Sequence, residues 1–555
     1  MAVYKAREKT IEQELALPFH LTNQLIKAAA EATTFRTDCL AVSCQAADLS
    51  HKLRSVVGLT LTSSTVYHRP ICRIAAQTTT NLHRALKLVR KCKQSGILRK
   101  VVLTFTSFAA EFEKVTDLLG SSIADFRWLL SVFHGERGSL VIPPIARNDP
   151  VTAAVWSLIA WLHVNRRLND RIVAANNLAA LARSNHQYRD VIVEEGAVRQ
   201  LLVLLSNGGG CTEGQVAAAA ALNWLAVNNV ERCRAIAMDN YKQGITIIVK
   251  VLEESCVSVQ ILVAELVAKI VDVDDEFLRE EFGREDLIKS LISCLIHDSE
   301  MDECIRFHES PESKHNLMTK CSSILWKLCE KSLLNCRKIA EPESFLCLAK
   351  IIETERGELR LNCLMTVMEV AEVAEGNVKL RKTVWNPNSL PAKAVLDQLR
   401  RLITEESNPI FLFPAIKSIG CLARIFPAKD TNIVGALVRK LGDENMSVAT
   451  EAVIVLTKFT CPENHNCVKH SKTMIEFNGV PMLMKLMRVC DSESVKLIGL
   501  VLLCFLSIHV GNSEALAEAR VLITLESAVS SGMALNCHLK DIISRAINQL
   551  VLYQD

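Results

Sequence analysis

Apolar residues recur at helical spacing along most of the chain, and two phrases of that pattern repeat. The first is a polar or glycine turn followed by an amphipathic run. It reads EEGAVRQLLVLL at 194–205, KQGITIIVKVLEES at 242–255, REDLIKSLISCLIHD at 284–298 and EFNGVPMLMKLMRVCD at 476–491. The second is an Ala/Leu-rich run at 173–182, 216–226, 259–271, 321–331, 361–373, 415–426, 449–459 and 495–507. Each of these runs is apolar nearly all round, which predicts a helix covered by neighbours on both sides. Few segments alternate with the period of two that a strand requires. Ahead of the repeats, amphipathic stretches at 19–33, 35–58, 69–94 and 98–134 predict a four-helix bundle. Pro70 sits near the start of the third stretch, where proline is tolerated, and Gly96 follows its end. Pro143, Pro144 and Pro150 mark the boundary to the repeats.

The repeat step supports one architecture. Val198 to Ile245 is 47 residues and Ile245 to Leu287 is 42, the step of armadillo or HEAT units. At 555 residues the chain is too long for one hydrophobic core, so an extended array is expected. Boundaries follow as 1–145 for the bundle, 146–169 for a connecting helix, 170–530 for about eight repeats and 531–555 for a capping helix. MDECIRFHESPESKHN, 301–316, reads as an inserted surface loop, and WNPNSLP, 385–391, breaks the fifth unit.

Composition narrows the function. The 64 basic and 61 acidic residues leave a net charge of +3, which gives no argument for nucleic-acid binding. The 20 cysteines, without a secretory signal before them, occupy helix interiors such as Cys329, Cys363 and Cys504. They read as small buried hydrophobes in a reducing compartment. The apolar run at 497–510, LIGLVLLCFLSIHV, falls short of the roughly 20 residues a spanning helix needs and predicts a buried one. Ala2 is incompatible with myristoylation, and the tail VLYQD is not a prenylation signal.

No motif calls for chemistry. NGGGCTEG, 207–214, lacks the Lys-Ser/Thr of a phosphate-binding loop and follows a helix, so it predicts a corner between repeat helices. CPENHNCVKH, 461–470, brings Cys461, His465, Cys467 and His470 close in sequence, but not at zinc-ligand spacing. Cys304, His308 and His315 are equally loose. Catalytic signatures are missing, so the expectation is a non-enzymatic binding protein with no cofactor, metal or catalytic residues.

Longer phrases carry a resemblance. LHRALKLVRKCKQSGILRKV (82–101), IADFRWLLSVF (123–133), PPIARNDPVTAAVWSLIAWL (143–162), DRIVAANNLAALA (170–182), EGQVAAAAALNWLA (213–226) and LTKFTCPENHNCVKHSKTMIEFNGVPMLMKLM (456–487) resemble the plant armadillo-repeat-only family. The resemblance spans nearly the whole chain, with armadillo repeats over 170–530. The first 130 residues are also similar to the bundle that precedes armadillo repeats in plant U-box ligases, although no U-box follows here. The resemblance implies an all-α fold, an N-terminal helical bundle followed by a right-handed armadillo superhelix. It implies a non-catalytic scaffold in Rho-type small GTPase signalling and polarised growth. Its partners would be those GTPases, their regulators or kinases, and it would work in the cytoplasm, at the plasma membrane and partly in the nucleus. The alternative is a transport or ubiquitin-ligase adaptor that binds cargo or substrate through the groove.

In armadillo import receptors the third helix of each unit carries a Trp and, four residues on, an Asn that holds the bound peptide. In that register the Asn positions here are Ala180, Trp224, Lys269, Lys327, Glu369, Cys421, Lys458 and Phe505, and one Trp position is Lys417. The ladder is absent, so nuclear-localisation peptides are not the expected cargo. Trp224, Lys269, Lys327, Glu369, Lys417, Lys458 and Phe505 become the candidate groove residues, and their lysines suit an acidic or amphipathic partner segment. A second candidate lies in the bundle. Leu82, Leu86, Val89 and Cys92 mark one face of the third stretch, while Lys87, Arg90, Lys91 and Lys93 fall toward the other, with Arg99 and Lys100 beyond. This basic face suits an acidic partner or peripheral contact with anionic lipid, without the second signal that stable anchoring needs.

Overall fold

The computed structural model describes residues 11–62, 67–93, 105–134, 142–163, 167–207, 211–239, 243–296, 310–427, 431–530 and 537–553. Among these residues there are 29 α-helices and no strand. The chain divides into two compact units, Met1–Val273 and Asp274–Asp555.

The first unit opens with four helices, α1 (Ile11–Ala30), α2 (Arg36–Thr62), α3 (His68–Lys91) and α4 (Phe105–His134). Leu82, Leu86, Val89 and Cys92 are buried in the bundle, and Lys87, Arg90, Lys91 and Lys93 are exposed. Arg99 and Lys100 lie outside the described residues. The end of α3 is tied to the α1–α2 turn, because the Cys92 carbonyl accepts from the backbone N–H groups and hydroxyls of both Thr33 and Thr34. A 3-10 turn, Pro144–Ala146, leads into α5 (Pro150–Leu162). There Asp149 caps the Thr152 N–H at 3.1 Å and Pro150 takes the first helical position. Next come α6 (Leu168–Ser184) and two triads of helices: α7 (His186–Glu194), α8 (Ala197–Asn207) and α9 (Thr212–Leu225), then α10 (Val230–Ala237), α11 (Gln243–Glu254) and α12 (Val257–Val271).

The second unit is built from six triads. They begin with α13 (Glu276–Arg284), α14 (Leu287–Ile296) and α15 (Pro311–Cys329), followed by α16 (Leu333–Ile339), α17 (Pro342–Thr354) and α18 (Gly357–Gly376). The next is α19 (Val378–Val384), α20 (Leu390–Glu405) and α21 (Pro409–Cys421). In the fourth triad of this unit the first helix shrinks to a 3-10 turn, Ala423–Ile425, before α22 (Thr431–Lys440) and α23 (Met446–Thr460). The last two are α24 (Cys467–Glu476), α25 (Gly479–Val489) and α26 (Glu493–Val510), then α27 (Glu514–Glu518), α28 (Val521–Ser530) and α29 (Cys537–Val551). Third helix packs on third helix, as α18 does on α15. Seven of the eight Ala/Leu-rich runs of the sequence fall on third helices and the first on α6, which packs on α9 in the same way; the four turn phrases fall on second helices.

Recurring polar contacts set the corners. Asn185, Asn229, Asp275, Ser332 and Asn377 each cap the first helix of a triad through a side-chain oxygen. A few residues on, a first-helix side chain donates to a carbonyl seven residues upstream, at the end of the preceding third helix. Arg189 reaches Ala182 O at 2.7 Å, Arg232 reaches Leu225 O at 2.8 Å and Asn335 reaches Leu328 O at 2.8 Å. Arg381 does the same for the carbonyls of Ala374 and Glu375. These carbonyls have no partner within their own helix, so a donor from the next one satisfies them. Between first and second helices the chain turns through a left-handed residue: Gly196 (φ 87°), Asp286 (φ 61°), Asn478 (φ 60°) or Arg520 (φ 53°). Buried amides also link third helices: Asn223 donates to Leu262 O at 2.8 Å, and Asn362 to Thr319 O at 3.3 Å.

Three segments differ from their sequence reading. Of the loop expected at 301–316, 301–309 lie outside the described residues and Pro311–Asn316 form the first turns of α15. Ser310 caps that helix and Pro311 starts it. WNPNSLP does not break its triad. It is the corner between α19 and α20, and fully buried Trp385 packs edge-on against Phe345 at 5.1 Å. The run at 497–510 belongs to α26, the one described helix long and apolar enough to cross a membrane, and half of that stretch is buried inside the protein. It packs between α23 and α29.

One buried acid gives the bundle a pH response. Asp125 of α4, 3% exposed, accepts the Ile145 N–H at 2.9 Å. Burial pushes its carboxyl up to about 6, against the pull of that N–H and of Arg147. A folded-state value above the unfolded one means the native chain holds a proton that the unfolded chain has released. Stability from this group therefore falls as pH rises from about 4 to about 7. Asp125→Asn keeps the acceptor and cannot titrate. Its unfolding free energy relative to the wild type should rise by about 2 kcal/mol across that window; parallel denaturation profiles would contradict this.

Candidate functional site: the third-helix face

In the first unit Trp224 stands at the end of α9, 36% exposed, with the Arg183 guanidinium of α6 over its ring at 5.8 Å. Lys269 of α12 reaches back to Asn223, donating to its side-chain oxygen at 2.9 Å and its carbonyl at 3.2 Å. The amide that ties α9 to α12 thus also anchors a groove lysine.

In the second unit the third helices carry an ion-pair ladder. Lys417 of α21 meets Glu372 of α18 at 2.8 Å, and Lys458 of α23 meets Glu375 of α18, also at 2.8 Å. The second pair spans α21, passing Cys421, whose thiol lies beside Glu375. Packed helices lie about 8–10 Å apart, so this pair bridges next-but-one third helices with both side chains reaching over α21. On α15, Trp326 lies beside Glu369 and favours its charged form, and Lys327 lies over the Trp326 ring at 5.4 Å.

The carboxylates outnumber the cations. Burial, then Glu372 and Glu330, raise the Glu369 carboxyl above the usual range; burial, with Glu372, also raises Glu451 against the pull of Lys417 and Lys458. For Lys417, burial acts to lower the ammonium, but Glu372, Cys421 and Glu369 together hold it above its ordinary value. The basic stripe expected from Lys327, Lys417 and Lys458 is therefore corrected to a mixed-charge face, in which Lys417 and Lys458 are already paired. Phe505 is buried, 8% exposed, with its ring 6.4 Å from that of His509, so it offers little to a partner. The structure brings Glu369, Lys417 and Lys458 together through Glu372 and Glu375. Those two acids were missed, although EVAEVAE (369–375) displays them at helical spacing.

The other sequence candidates take plain roles. On the basic face of α3, Lys93 pairs with Glu31 at 2.6 Å, Lys91 with Glu111 at 3.8 Å, and Arg90 donates to Gln24 at 3.3 Å. Lys87 is exposed beside them. Within CPENHNCVKH, Asn464 and Asn466 donate to the carbonyls of Ala423 and Phe426, His470 is buried edge-on against Phe459, and His465 is exposed. Among the described residues no three His, Cys, Asp or Glu side chains gather as metal ligands. Glycines 208–210 lie outside the described residues, between the end of α8 and the start of α9.

A family model described as a domain of unknown function (DUF7792) matches residues 12–134, the bundle. No curated protein matches the chain. Among solved structures, an engineered protein from a structural genomics consortium is 18% identical over 78% of this chain and 95% of its own, with a TM-score of 0.56. A second engineered protein, 18% identical over 48% of this chain and 96% of its own, has a TM-score of 0.38. A designed armadillo repeat protein, 16% identical over 48% of this chain and 98% of its own, has the same TM-score. The first similarity extends to the fold. With the triads and their corners, it defines the class: an all-α, armadillo-like solenoid with a helical bundle ahead of the repeats in sequence.

The ladder's strength is measurable. The side chains of Lys458 and Glu375 are each more than a third exposed, which limits their attraction. A double-mutant cycle with Lys458→Ala and Glu375→Ala should give a coupling of about 0.5–1 kcal/mol that shrinks in 1 M salt. A coupling indistinguishable from zero at low salt would remove the strut.

Proposed function

We propose that the chain is a non-catalytic scaffold that holds partner proteins on its third-helix face. The observation that carries this reading is the ladder on α15, α18, α21 and α23. It presents half-exposed ammonium and carboxylate groups at fixed spacing along successive third helices. Pre-placed charges of both signs favour orientation and partner choice over bulk affinity. The finer reading is that the partners belong to plant Rho-type small GTPase signalling, as GTPases, regulators or kinases, and serve polarised growth. Support for it is the resemblance of the phrases at 82–101, 143–162 and 456–487. The same resemblance supports a cytoplasmic location with plasma-membrane contact, and the exposed Lys87 and its basic neighbours on α3 give such contact a surface.

A pull-down from plant cytosol with the full chain, and with the Lys417→Glu/Lys458→Glu variant, tests this reading. A Rho-type GTPase or its regulator should be enriched on the wild type and at least several-fold less on the variant. Partner proteins captured equally by both would move binding off this face. Absence of any GTPase-pathway protein would overturn the finer reading.

A further inference from the structure

One cavity in the first unit is not on the third-helix face. It lies between the bundle and the first triad, with a volume of about 900 Å³, and its lining comes from α1, α3, α5, α8 and the end of α10. That volume is within the range of small-molecule sites, about 300–1,000 Å³. Its wall is organised by one buried carboxylate. Glu195, 2% exposed, accepts from the indole N–H of Trp156 at 2.9 Å and pairs with Arg73 at 2.7 Å, while its carbonyl accepts the Tyr67 hydroxyl at 2.8 Å. Glu195 and Arg73 are thereby committed to the wall.

Two other arginines of the lining are not committed. Arg69 and Arg199 are exposed, and neither makes a hydrogen bond or an ion pair among the described residues. Arg69 stands against Gly196, the left-handed corner residue with φ of 87°; a Cβ there would lie in ordinary van der Waals contact, 3.5 Å from Arg69 Nε. Arg199 and half-buried Asp239 line the same cavity without forming a salt bridge. The amino end of α3 opens here too. It has no side-chain cap and no acid in its first turn, so its partial positive charge adds to that of Arg69. Glu14 and Asp239 supply carboxylates that accept from hydroxyls.

We propose that this cavity binds a phosphorylated polyol, with Arg69 and Arg199 holding phosphate and Glu14 and Asp239 accepting ring hydroxyls. Guanidinium groups from α3 and α8 grip phosphate oxygens through paired N–H donors, which suits arginine better than lysine. The ligand would bridge the bundle and the first triad, because its two arginine contacts come from α3 and α8. The proposal is independent of the scaffold reading, which concerns a different face.

Titration calorimetry on the full chain with inositol 1,4,5-trisphosphate tests it, with unphosphorylated inositol as a control. A second arm uses phosphatidylcholine vesicles with and without phosphatidylinositol 4,5-bisphosphate, to separate a soluble ligand from a lipid headgroup. Expected is one site per chain, no binding of inositol, and a weakening of about tenfold in each of Arg69→Ala and Arg199→Ala. Both side chains are exposed, and thermal melts should show both variants folded. Arg84→Ala, an exposed arginine further along α3, should bind as the wild type does. The proposal is overturned if neither the free nor the lipid-borne headgroup binds. It is also overturned if Arg69→Ala and Arg199→Ala bind unchanged, or if Arg84→Ala weakens binding equally.

Discussion

The repeated structure depends on how each third helix ends. Its last carbonyls have no helical partner, and the chain must reverse within a few residues. A side chain from the next first helix supplies the missing donor: Arg189, Arg232, Asn335 and Arg381 each do so from seven residues downstream. Arg232 does more, since it also donates to Val227 O at 2.7 Å and pairs with Asp190 of the preceding first helix at 2.6 Å. Buried donors of this kind fix the angle at which one triad leaves the last, and so place successive third helices side by side.

The charged ladder is a consequence of that placement. Ion pairs between neighbouring third helices need their faces in register, and the pair between Lys458 and Glu375 needs the intervening helix to present a small residue. Cys421 meets that need. Its thiol is pushed up to about 12 by burial, with Lys458 pulling the other way, so it stays protonated and serves as filler beneath the strut. The same logic holds at the junction of bundle and repeats, where Glu195 is held by groups from α3 and α5 at once.

Much of the architecture was legible in the sequence because it is written in helical periodicity. The Ala/Leu-rich runs marked α6 and the third helices, the turn phrases marked second helices, and the α3 stripe from Leu82 to Cys92 marked the bundle core. What periodicity does not carry is pairing at a distance. Lys417 and Lys458 read as a basic stripe because Glu372 and Glu375 are 45 and 83 residues away in sequence. The first-helix donors were invisible for a related reason. An arginine seven residues after an alanine means nothing until the corner between them is known. Glu195 was quoted as part of a turn phrase, and its buried carboxylate became apparent only with Trp156 and Arg73 beside it. The left-handed corners explain why that phrase is clear at Gly196 and fainter at Asp286, since a non-glycine residue fills the same position at some conformational cost.

The claim that corner donors hold the array is tested most directly by native-state hydrogen exchange on Arg232→Met, which keeps the apolar stem and removes the donors. Exchange in the last turn of α9 and in α10 should accelerate about thirtyfold, for a loss of about 2 kcal/mol, with the bundle unchanged. Exchange at that corner equal to that of the wild type would show that packing alone sets the angle, and would contradict the account.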